Sequence, residues 1–390
     1  MNISGAVDLT TTPHIRTSER KDFKRCPQKW QWAWRQGLRP KIEKPGALWF
    51  GIGMHLVLQH RYRYVGKKRG GNLLKVWRDY VGDTEAIIFG ENFGDDRDDF
   101  YDAKALGEEM IGNYLDLYGL DDRWHVLSAE QIFQLPIPDP RKRYKGDTLA
   151  IYNGTFDLVA LDEEGDDSVW LWDHKNMKQI STTHLQLDDQ AGAYWAVAGD
   201  VLAQQGLIKP GMKLDGILYN FLRKSKADTR PTNAEGLVTN NPIKSHYIAA
   251  LASHEHDGIV WEANDPAMVA FSKMSLVKLQ AEAKALGLTV LGDVSKIQPA
   301  PNFLRYPVWR TSSERKMQIK RIQDEALNME AHRRRLLPIV KNPTKDCSWD
   351  CDFFNLCQLH EAGDDWREFK AASFKQRDPY ADHREPAGTE

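Results

Sequence analysis

The sequence predicts an α/β protein in which a sheet core lies between helical N-terminal and C-terminal parts. Residues 124–225 contain short runs rich in β-branched and aromatic residues, with one helical segment before the last run. Strands followed by a helix and a further strand are typical of an α/β core. Apolar residues recur at helical spacing on both sides of this region. The four cysteines are divided between the two helical parts, which predicts that a metal site joins them.

The composition is that of a globular protein, with 41% hydrophobic and 28% charged residues. The formal net charge of −2 gives no overall attraction to nucleic acid, so any binding of a polyanion must come from local patches. The N-terminus lacks the basic and apolar regions of a secretory signal, and no apolar run is long enough to span a membrane. We therefore expect a soluble cytoplasmic protein, where clustered cysteines are more often metal ligands than disulfides.

The N-terminal part is predicted to be mainly helical. One helix is expected over residues 15–37, and a second helix starts near Gly53. The acidic, glycine-containing stretch 91–102 predicts a solvated loop, because it lacks an apolar period. Helical spacing returns over residues 103–118.

The core is predicted to contain a hairpin, because its second and third strands flank an acidic turn. The expected elements are strands over 125–137, 148–161, 168–177 and 215–225, with a helix over 184–198.

The C-terminal part is predicted to contain two helices, over residues 265–285 and 313–335, and a disordered polar tail beyond Gly363. We expect all of the chain to form one structural domain. Its parts are an N-terminal helical part (1–120), a core (121–260), a C-terminal helical part (261–362) and a tail (363–390).

Two carboxylates and a lysine in the hairpin indicate chemistry. Successive side chains of a strand point to opposite faces, so Asp173 and Lys175 share a face while His174 points away. Asp157 lies on the preceding strand, where pairing brings its carboxylate towards Asp173. Burial of these charged groups costs free energy unless a partner offsets it, and a magnesium ion would be such a partner. The lysine could then hold or deprotonate the attacking water.

A surface ion pair on an exposed hairpin face is the alternative explanation for this spacing. The four residues 169–172, VWLW, make both faces of the strand apolar. This pattern favours a buried central strand over an exposed one.

Further motifs occur in a fixed order around this pair. GIGMH places His55 on an early helix, SAEQIF places Glu130 on the first core strand, and QAGAY places Gln190 and Tyr194 one turn apart. Together with GTFD, WDHK and the cysteines, this order resembles the PD-(D/E)XK nuclease superfamily. It is most similar to the RecB-like exonuclease branch, which includes CRISPR-associated and phage-encoded forms. The resemblance extends discontinuously from about residue 17 to residue 360.

The resemblance implies a restriction-endonuclease-like mixed sheet flanked by helices, and it implies a role for each motif residue. The metal ion, Mg²⁺ or Mn²⁺, would be held by Asp157, Asp173 and His55, with Glu130 as a further ligand or as a brace through a hydrogen bond. Lys175 would be the catalytic lysine. DNA or Lys175 would be positioned by Gln190 and Tyr194.

Some of these residues also have a plain structural explanation. His55 could be a core histidine on an apolar helix face. Gln190 and Tyr194 could be ordinary helix packing.

The cysteines suit a site with four thiolate ligands. Cys347, Cys351 and Cys357 can wrap one side of a metal centre, and Cys26 can supply the fourth ligand. In the resembling family such a set holds a [4Fe–4S] cluster, and CPQKW matches its Cys-Pro-x-x-aromatic context. The Cys-x3-Cys spacing departs from the usual Cys-x2-Cys. Zinc remains an alternative, since four thiolates also suit it, and so does a set of unliganded cysteines.

Candidate DNA contacts are few in the sequence. Arg305 and Arg310 alternate with aromatic residues, and Lys29 lies among tryptophans, which suits phosphate contact and base stacking. Three basic runs also occur, at residues 141–145, 223–226 and 332–335. Such runs are more often solvated than bound to DNA.

The sequence as a whole predicts a metal-dependent DNA exonuclease with a structural [4Fe–4S] cluster, active in recombination, repair or end processing. A catalytically idle DNA-binding or scaffold subunit and a zinc-bridged binding protein are the alternatives. No GxxxxGK[ST] loop occurs, so the chain is not itself a helicase motor. Its expected partners are DNA ends, single-stranded or duplex, and a recombination protein. An oligomer is possible, and a phage-encoded form would act in the host cytoplasm.

Overall fold

The computed structural model describes most of the chain, and its helices and strands are numbered in chain order. The described residues are 12–41, 46–63, 72–90, 96–141, 147–165, 168–209, 211–255 and 266–381. The strands are β1 (His14–Arg16), β2 (Leu38–Pro40), β3 (Trp124–Pro138), β4 (Thr148–Asp162), β5 (Val169–Met177), β6 (Leu214–Arg223), β7 (Phe303–Trp309) and β8 (Phe374–Gln376).

The helices occur on both sides of the strand region. They are α1 (Thr17–Arg25), α2 (Pro27–Trp30), α3 (Ala47–Tyr62), α4 (Leu73–Gly90), α5 (Asp96–Tyr118), α6 (Asp189–Gln204), α7 (Lys244–Glu255), α8 (Pro266–Ser272), α9 (Leu276–Ala285), α10 (Ser312–Arg333), α11 (Cys347–Asp350), α12 (Phe354–Ala362) and α13 (Trp366–Ser373). A π-helical turn (Gln31–Arg35) follows α2, and a 3₁₀ turn (Leu185–Leu187) precedes α6. Among the described helices, none is long and apolar enough to cross a membrane.

A mixed six-stranded sheet forms the centre, in the order β1-β4-β5-β6-β7 with β3 on the other edge of β4. The predicted hairpin is confirmed, because β4 and β5 are antiparallel and pair from Leu158–Trp172 to Leu161–Val169. β1 pairs in parallel with the other end of the same β4 edge, at Ile151–Asn153. In the described part of the chain, residues 154–157 of β4 therefore have no strand partner on this edge. This opening lies at the predicted catalytic motif.

Helices cover both faces of the sheet, which confirms the predicted α/β arrangement. Alternate strand residues belong to different cores: Leu171 packs with α6 and α10, whereas Trp170 and Trp172 pack with α3, α4 and α5. Because both faces are buried, the central strands are almost continuously apolar. Asp173 and Lys175 continue the face of Leu171, towards α6.

Residues 226–302 form a compact unit apart from the rest of the chain. This unit contains α7, α8 and α9 around its own small core of Leu251, Leu279 and Ala283. The sequence predicts one structural domain whose parts end at residues 120, 260 and 362, and this organisation stays a prediction.

Two predicted helices are interrupted. The helix predicted over 15–37 is broken at Cys26, which has an extended backbone (φ −160°, ψ 108°), because Pro27 disfavours a helical residue before it. The helix predicted over 265–285 is divided into α8 and α9, and Ser275 caps α9 by accepting the Lys278 N–H.

Two predicted irregular segments are partly ordered. α5 starts at Asp96, so the predicted loop over 91–102 is helical from that residue, and 91–95 lie outside the described residues. The predicted tail contains α13, capped by Asp365, and β8, which pairs antiparallel with β2. Residues 382–390 also lie outside the described part.

Gly154 provides the first test of the fold, because it lies where β4 loses its partner. A Cβ atom at Gly154 would lie 2.6 Å from the Phe133 ring and 2.9 Å from the Tyr194 ring. We expect Gly154→Ala to lower the free energy of unfolding by about 1–3 kcal/mol, since neither ring can move without disturbing the core. Urea unfolding measures the change.

Gly199→Ala is the matched control, because a Cβ atom at this α6 position meets nothing within 4 Å. It should raise stability by up to about 1 kcal/mol through helix propensity. Equal unfolding midpoints for Gly154→Ala and wild type would contradict the packing argument.

Candidate active site

Three side chains from three elements meet at the opening between β4 and β5. His55 of α3, Glu130 of β3 and Asp157 of β4 each offer a ligand atom, and these atoms all lie within 4.8 Å of one another. His55 Nδ1 is 3.6 Å from Glu130 Oε1 and 3.7 Å from Asp157 Oδ2. In the described part of the chain, this is the one group of three or more such residues that could hold a metal ion.

The backbone of His174 orients two members of this group. Its N–H donates to Asp157 Oδ2 at 2.7 Å, and its carbonyl oxygen accepts from His55 Nε2 at 3.1 Å. A carbonyl can only accept, so Nε2 carries a proton and Nδ1 faces the carboxylates. His174 itself points to the other face, as predicted, where its ring nitrogen meets the Asn220 amide in a buried contact of 3.0 Å.

Glu130 has a strained backbone and an unsatisfied side chain. Its φ of +49° lies in the left-handed region, which costs a non-glycine residue about 1–2 kcal/mol. Its Oε1 atom is buried and accepts no hydrogen bond from the described residues. A buried carboxylate oxygen that lies 3.6 Å from His55 Nδ1, beyond hydrogen-bond distance, fits a cation ligand, and strain of this kind is found where a side chain must be aimed precisely. Oxygen and imidazole donors suit a divalent ion such as Mg²⁺ or Mn²⁺.

Asp173 and Lys175 form a partly buried ion pair beside this group, with side chains 8% and 26% exposed. Lys175 Nζ lies 2.9 Å and 2.8 Å from the two carboxylate oxygens of Asp173. Burial raises the pKa of Asp173 to about 6, against the effect of the lysine. Burial also opposes charge on Lys175, but Asp173 and Asp157 outweigh it and raise the lysine pKa. Lys175 is therefore an ammonium at neutral pH, a donor rather than a base.

The charges of His55 and Asp157 affect each other's pKa. Burial disfavours a charged His55, yet Asp157 and Glu130 raise its pKa to about 9. Burial raises the pKa of Asp157, and the nearby Glu130 adds to this effect. Asp173 is not part of the three-residue group, so its role as a ligand stays a prediction.

Gln190 and Tyr194 lie on α6, as predicted, and the Tyr194 ring lies next to Gly154 at the same opening. Tyr194 packs against Phe133 and Phe156, and burial raises its pKa. Gln190 is half-buried, and its side chain takes part in none of the hydrogen bonds among the described residues. Their roles in positioning stay predictions.

Asp188 is a residue that the sequence reasoning missed. Its Oδ1 accepts the N–H groups of Gln190 and Ala191, so it caps α6. Its charge also contributes to raising the pKa of Asp173 and of Lys175. An acidic residue directly before a helical pattern is the signal that could have identified it.

The four cysteines line a single cavity of about 490 Å³. The Asn342 N–H donates to the Cys26 sulfur at 3.5 Å, and the Thr344 N–H donates to the Cys347 sulfur at 3.3 Å. The donors from Thr344 lower the pKa of Cys347, whereas burial raises the pKa of the other two C-terminal cysteines. No three of the four sulfur atoms lie within 4.8 Å of one another where the chain is described.

Three basic residues that the sequence offers as DNA contacts have internal partners in this structure, and their contacts with DNA stay predictions. Arg305 donates to both carboxylate oxygens of Asp121, and Arg310 donates to backbone carbonyls of the 3₁₀ turn. Lys29 pairs with Asp22 at 2.7 Å. Alternation with aromatic residues here reflects packing of the long side chains in the core. Of the basic runs, 142–145 lie outside the described residues.

The pKa of His55 gives the first test of the site. Metal ligation requires a neutral imidazole, but in the metal-free protein His55 keeps its proton up to a pKa of about 9. We expect the affinity for Mn²⁺ to rise about tenfold per pH unit from neutral pH to this pKa, because one proton must leave. Isothermal titration calorimetry in buffers of different ionisation enthalpy measures both the affinity and the proton release.

His55→Asn should bind Mn²⁺ weakly and with little pH dependence. The control His60→Asn, on the same helix, should keep the wild-type slope. An affinity that stays flat between pH 7 and 9 in the wild type would exclude His55 as a ligand.

Comparison with known families agrees with this geometry. The model of the PD-(D/E)XK nuclease superfamily matches residues 17–358, a range that includes the candidate site residues and the four cysteines. No curated protein sequence matches the chain significantly. The family match spans most of the chain, from α1 to α12, and the chain therefore belongs to the PD-(D/E)XK nuclease superfamily.

Proposed function

We propose that this protein is a deoxyribonuclease that uses Mg²⁺ or Mn²⁺ and removes nucleotides from DNA ends. The observation that carries the proposal is the convergence of His55, Glu130 and Asp157 beside the Asp173–Lys175 pair. Metal ligands alone could serve a structural site. The partly buried ammonium of Lys175 next to them adds the donor that a phosphodiester hydrolase needs where negative charge builds up.

The side chains take complementary parts in the proposed reaction. A bound divalent ion would stabilise negative charge on the phosphate and make its water more acidic. His55, Glu130 and Asp157 would hold that ion, with Asp173 as a further ligand. Lys175 would orient the attacking water and donate to a phosphate oxygen, because its pKa is raised and it stays protonated. Gln190 and Tyr194 would position the strand from α6.

We also propose that the four cysteines hold a structural [4Fe–4S] cluster, as in the RecB-like branch. Their shared cavity and the N–H groups aimed at Cys26 and Cys347 support a thiolate-bound centre, since such donors stabilise cluster sulfurs and thiolates. Zinc is the alternative that the same thiolates allow. The role is structural, because the cavity is built from the α1–α2 junction and the α11–α12 region rather than from the catalytic strands.

The resemblance to the RecB-like branch also supports a setting for the activity. The substrate would be DNA with a free end, single-stranded or duplex, in recombination, repair or end processing. Its partner would be a recombination protein, and it would form an oligomer as similar nucleases do. A phage-encoded form acting in the host cytoplasm fits the resemblance.

Removal of either member of the Asp173–Lys175 pair tests the catalytic proposal. We expect Asp173→Asn and Lys175→Met each to lower kcat/KM at least about a hundredfold, because each loses a group that acts on the developing charge. Degradation of end-labelled single-stranded and duplex DNA with Mg²⁺ or Mn²⁺ measures this. Lys178→Ala, an exposed lysine just beyond β5, is the matched control and should retain activity.

Two outcomes would contradict this proposal. If wild type leaves every DNA substrate intact, an idle DNA-binding or scaffold role becomes the better explanation. If both variants cut as well as the control, the reaction occurs elsewhere.

Loss of one cysteine tests the metal centre. We expect Cys26→Ala purified without oxygen to lose iron and acid-labile sulfide and to show a lower Tm, because a ligand that links distant chain segments is lost. Cluster absorbance, iron and sulfide assays and calorimetry measure these changes. Zinc without sulfide in the wild type would show that the cysteines hold zinc and not a cluster. An unchanged metal content and Tm in Cys26→Ala would refute the link that Cys26 makes between distant chain segments.

A further inference from the structure

Helix α3 exposes a row of three large apolar side chains. Leu48, Ile52 and Leu56 follow one another at four-residue spacing and are 78%, 52% and 39% exposed. Residues four apart are neighbours on one helix face, about 6 Å apart along the axis. The opposite face of α3 is already packed into the core through Met54 and Val57, so the helix does not need this row for its own burial. Contiguous exposed apolar groups mark interaction surfaces.

The α3 row adjoins the candidate metal site. His55 lies two helical turns after Leu48, and so shares its face, and it directly precedes Leu56. The imidazole of His55 is 3.7 Å from Asp157. A phosphodiester held at this group therefore places its neighbouring nucleotides beside the row.

We propose that the α3 row contacts the bases of an unpaired DNA strand next to the bond that is cut. This inference rests on the proposed nuclease function and adds a substrate class to it. In a duplex the base faces are stacked inside, and the outer surface presents mainly phosphates, which gain nothing from leucine or isoleucine. An unpaired strand exposes its base faces, and their burial against apolar side chains is favourable for every base.

The apolar character of the α3 row also favours an unpaired strand over a duplex as the substrate. Arginine or lysine would be expected in its place if the surface followed a duplex backbone, because phosphate contacts come from cations. Aliphatic side chains next to a site for DNA cleavage fit bases that have been unstacked. The enzyme would therefore act on single strands or on ends that have opened.

Abasic DNA tests the contact directly. Fluorescence anisotropy, without added divalent metal, compares a labelled oligothymidylate with an oligonucleotide of equal length that has abasic residues at both ends. We expect the wild type to bind the first about tenfold more tightly. Ile52→Ser should reduce this ratio to about twofold, by weakening binding of the intact strand alone.

Two further variants control for general effects. Leu336→Ser changes a leucine outside α3 that is 73% exposed, against 52% for Ile52, and should keep the wild-type ratio. Ile52→Met keeps an apolar contact and should behave as wild type, which separates the contact from an effect on folding.

Three results would overturn the inference. The wild type could bind both oligonucleotides equally, or Ile52→Ser could lose affinity for both in parallel. Light scattering could also show that Ile52→Ser changes the oligomeric state while the base dependence stays intact, which would make the row a protein interface. Binding is measured without cleavage, so base dependence in a protein that never cuts DNA would refute the proposed function and would leave only the contact between the α3 row and unpaired bases.

Discussion

The separation of β4 from β5 beyond the Leu158–Trp172 pair is the constraint on which the site depends. The next N–H group that β5 directs towards β4, that of His174, finds no backbone acceptor there, and a buried N–H must be satisfied. Asp157 supplies the acceptor through its side chain, 2.7 Å away. One interaction therefore completes the sheet and fixes the orientation of a candidate ligand. It also leaves the His174 carbonyl free to accept from His55, which is how α3 reaches the opening.

The charges at this opening cost stability in the metal-free protein. Burial raises the pKa of both Asp157 and Asp173, so the ionised form of each carboxylate lies in surroundings that disfavour its charge. His55 and Lys175 offset part of this cost, and their own pKa values are raised in return. The arrangement is held by the two apolar cores on either side of the sheet. A divalent cation would relieve the remaining excess of negative charge, which is the physical reason for expecting tight coupling between metal binding and the protonation of His55.

Local signals in the sequence predicted the parts of the fold that local physics decides. The hairpin, the shared face of Asp173 and Lys175, and the buried character of β5 follow from strand alternation and apolar flanks. The break of the helix at Cys26 could also be predicted, since Pro27 follows it. The left-handed backbone of Glu130 could not be predicted, because no neighbouring residue requires it. Its explanation is the opening between β4 and β5, which is distant in the sequence. The ion pair of Arg305 with Asp121 could not be predicted for the same reason, because the two residues are far apart in the sequence.

The link between the two ends of the chain does not depend on a metal alone. Arg25 pairs with Asp350 at 2.6 Å, the Asn342 amide donates to the Arg25 carbonyl, and the Gln28 N–H donates to the Val340 carbonyl at 3.1 Å. Outside this cavity, β8 pairs with β2. These contacts hold Cys26 near the C-terminal cysteines before any metal binds, which lowers the entropy cost of closing so long a loop. A metal centre in such a preformed cavity strengthens an existing contact, so its loss should loosen this region without separating the catalytic strands, whose packing belongs to other helices.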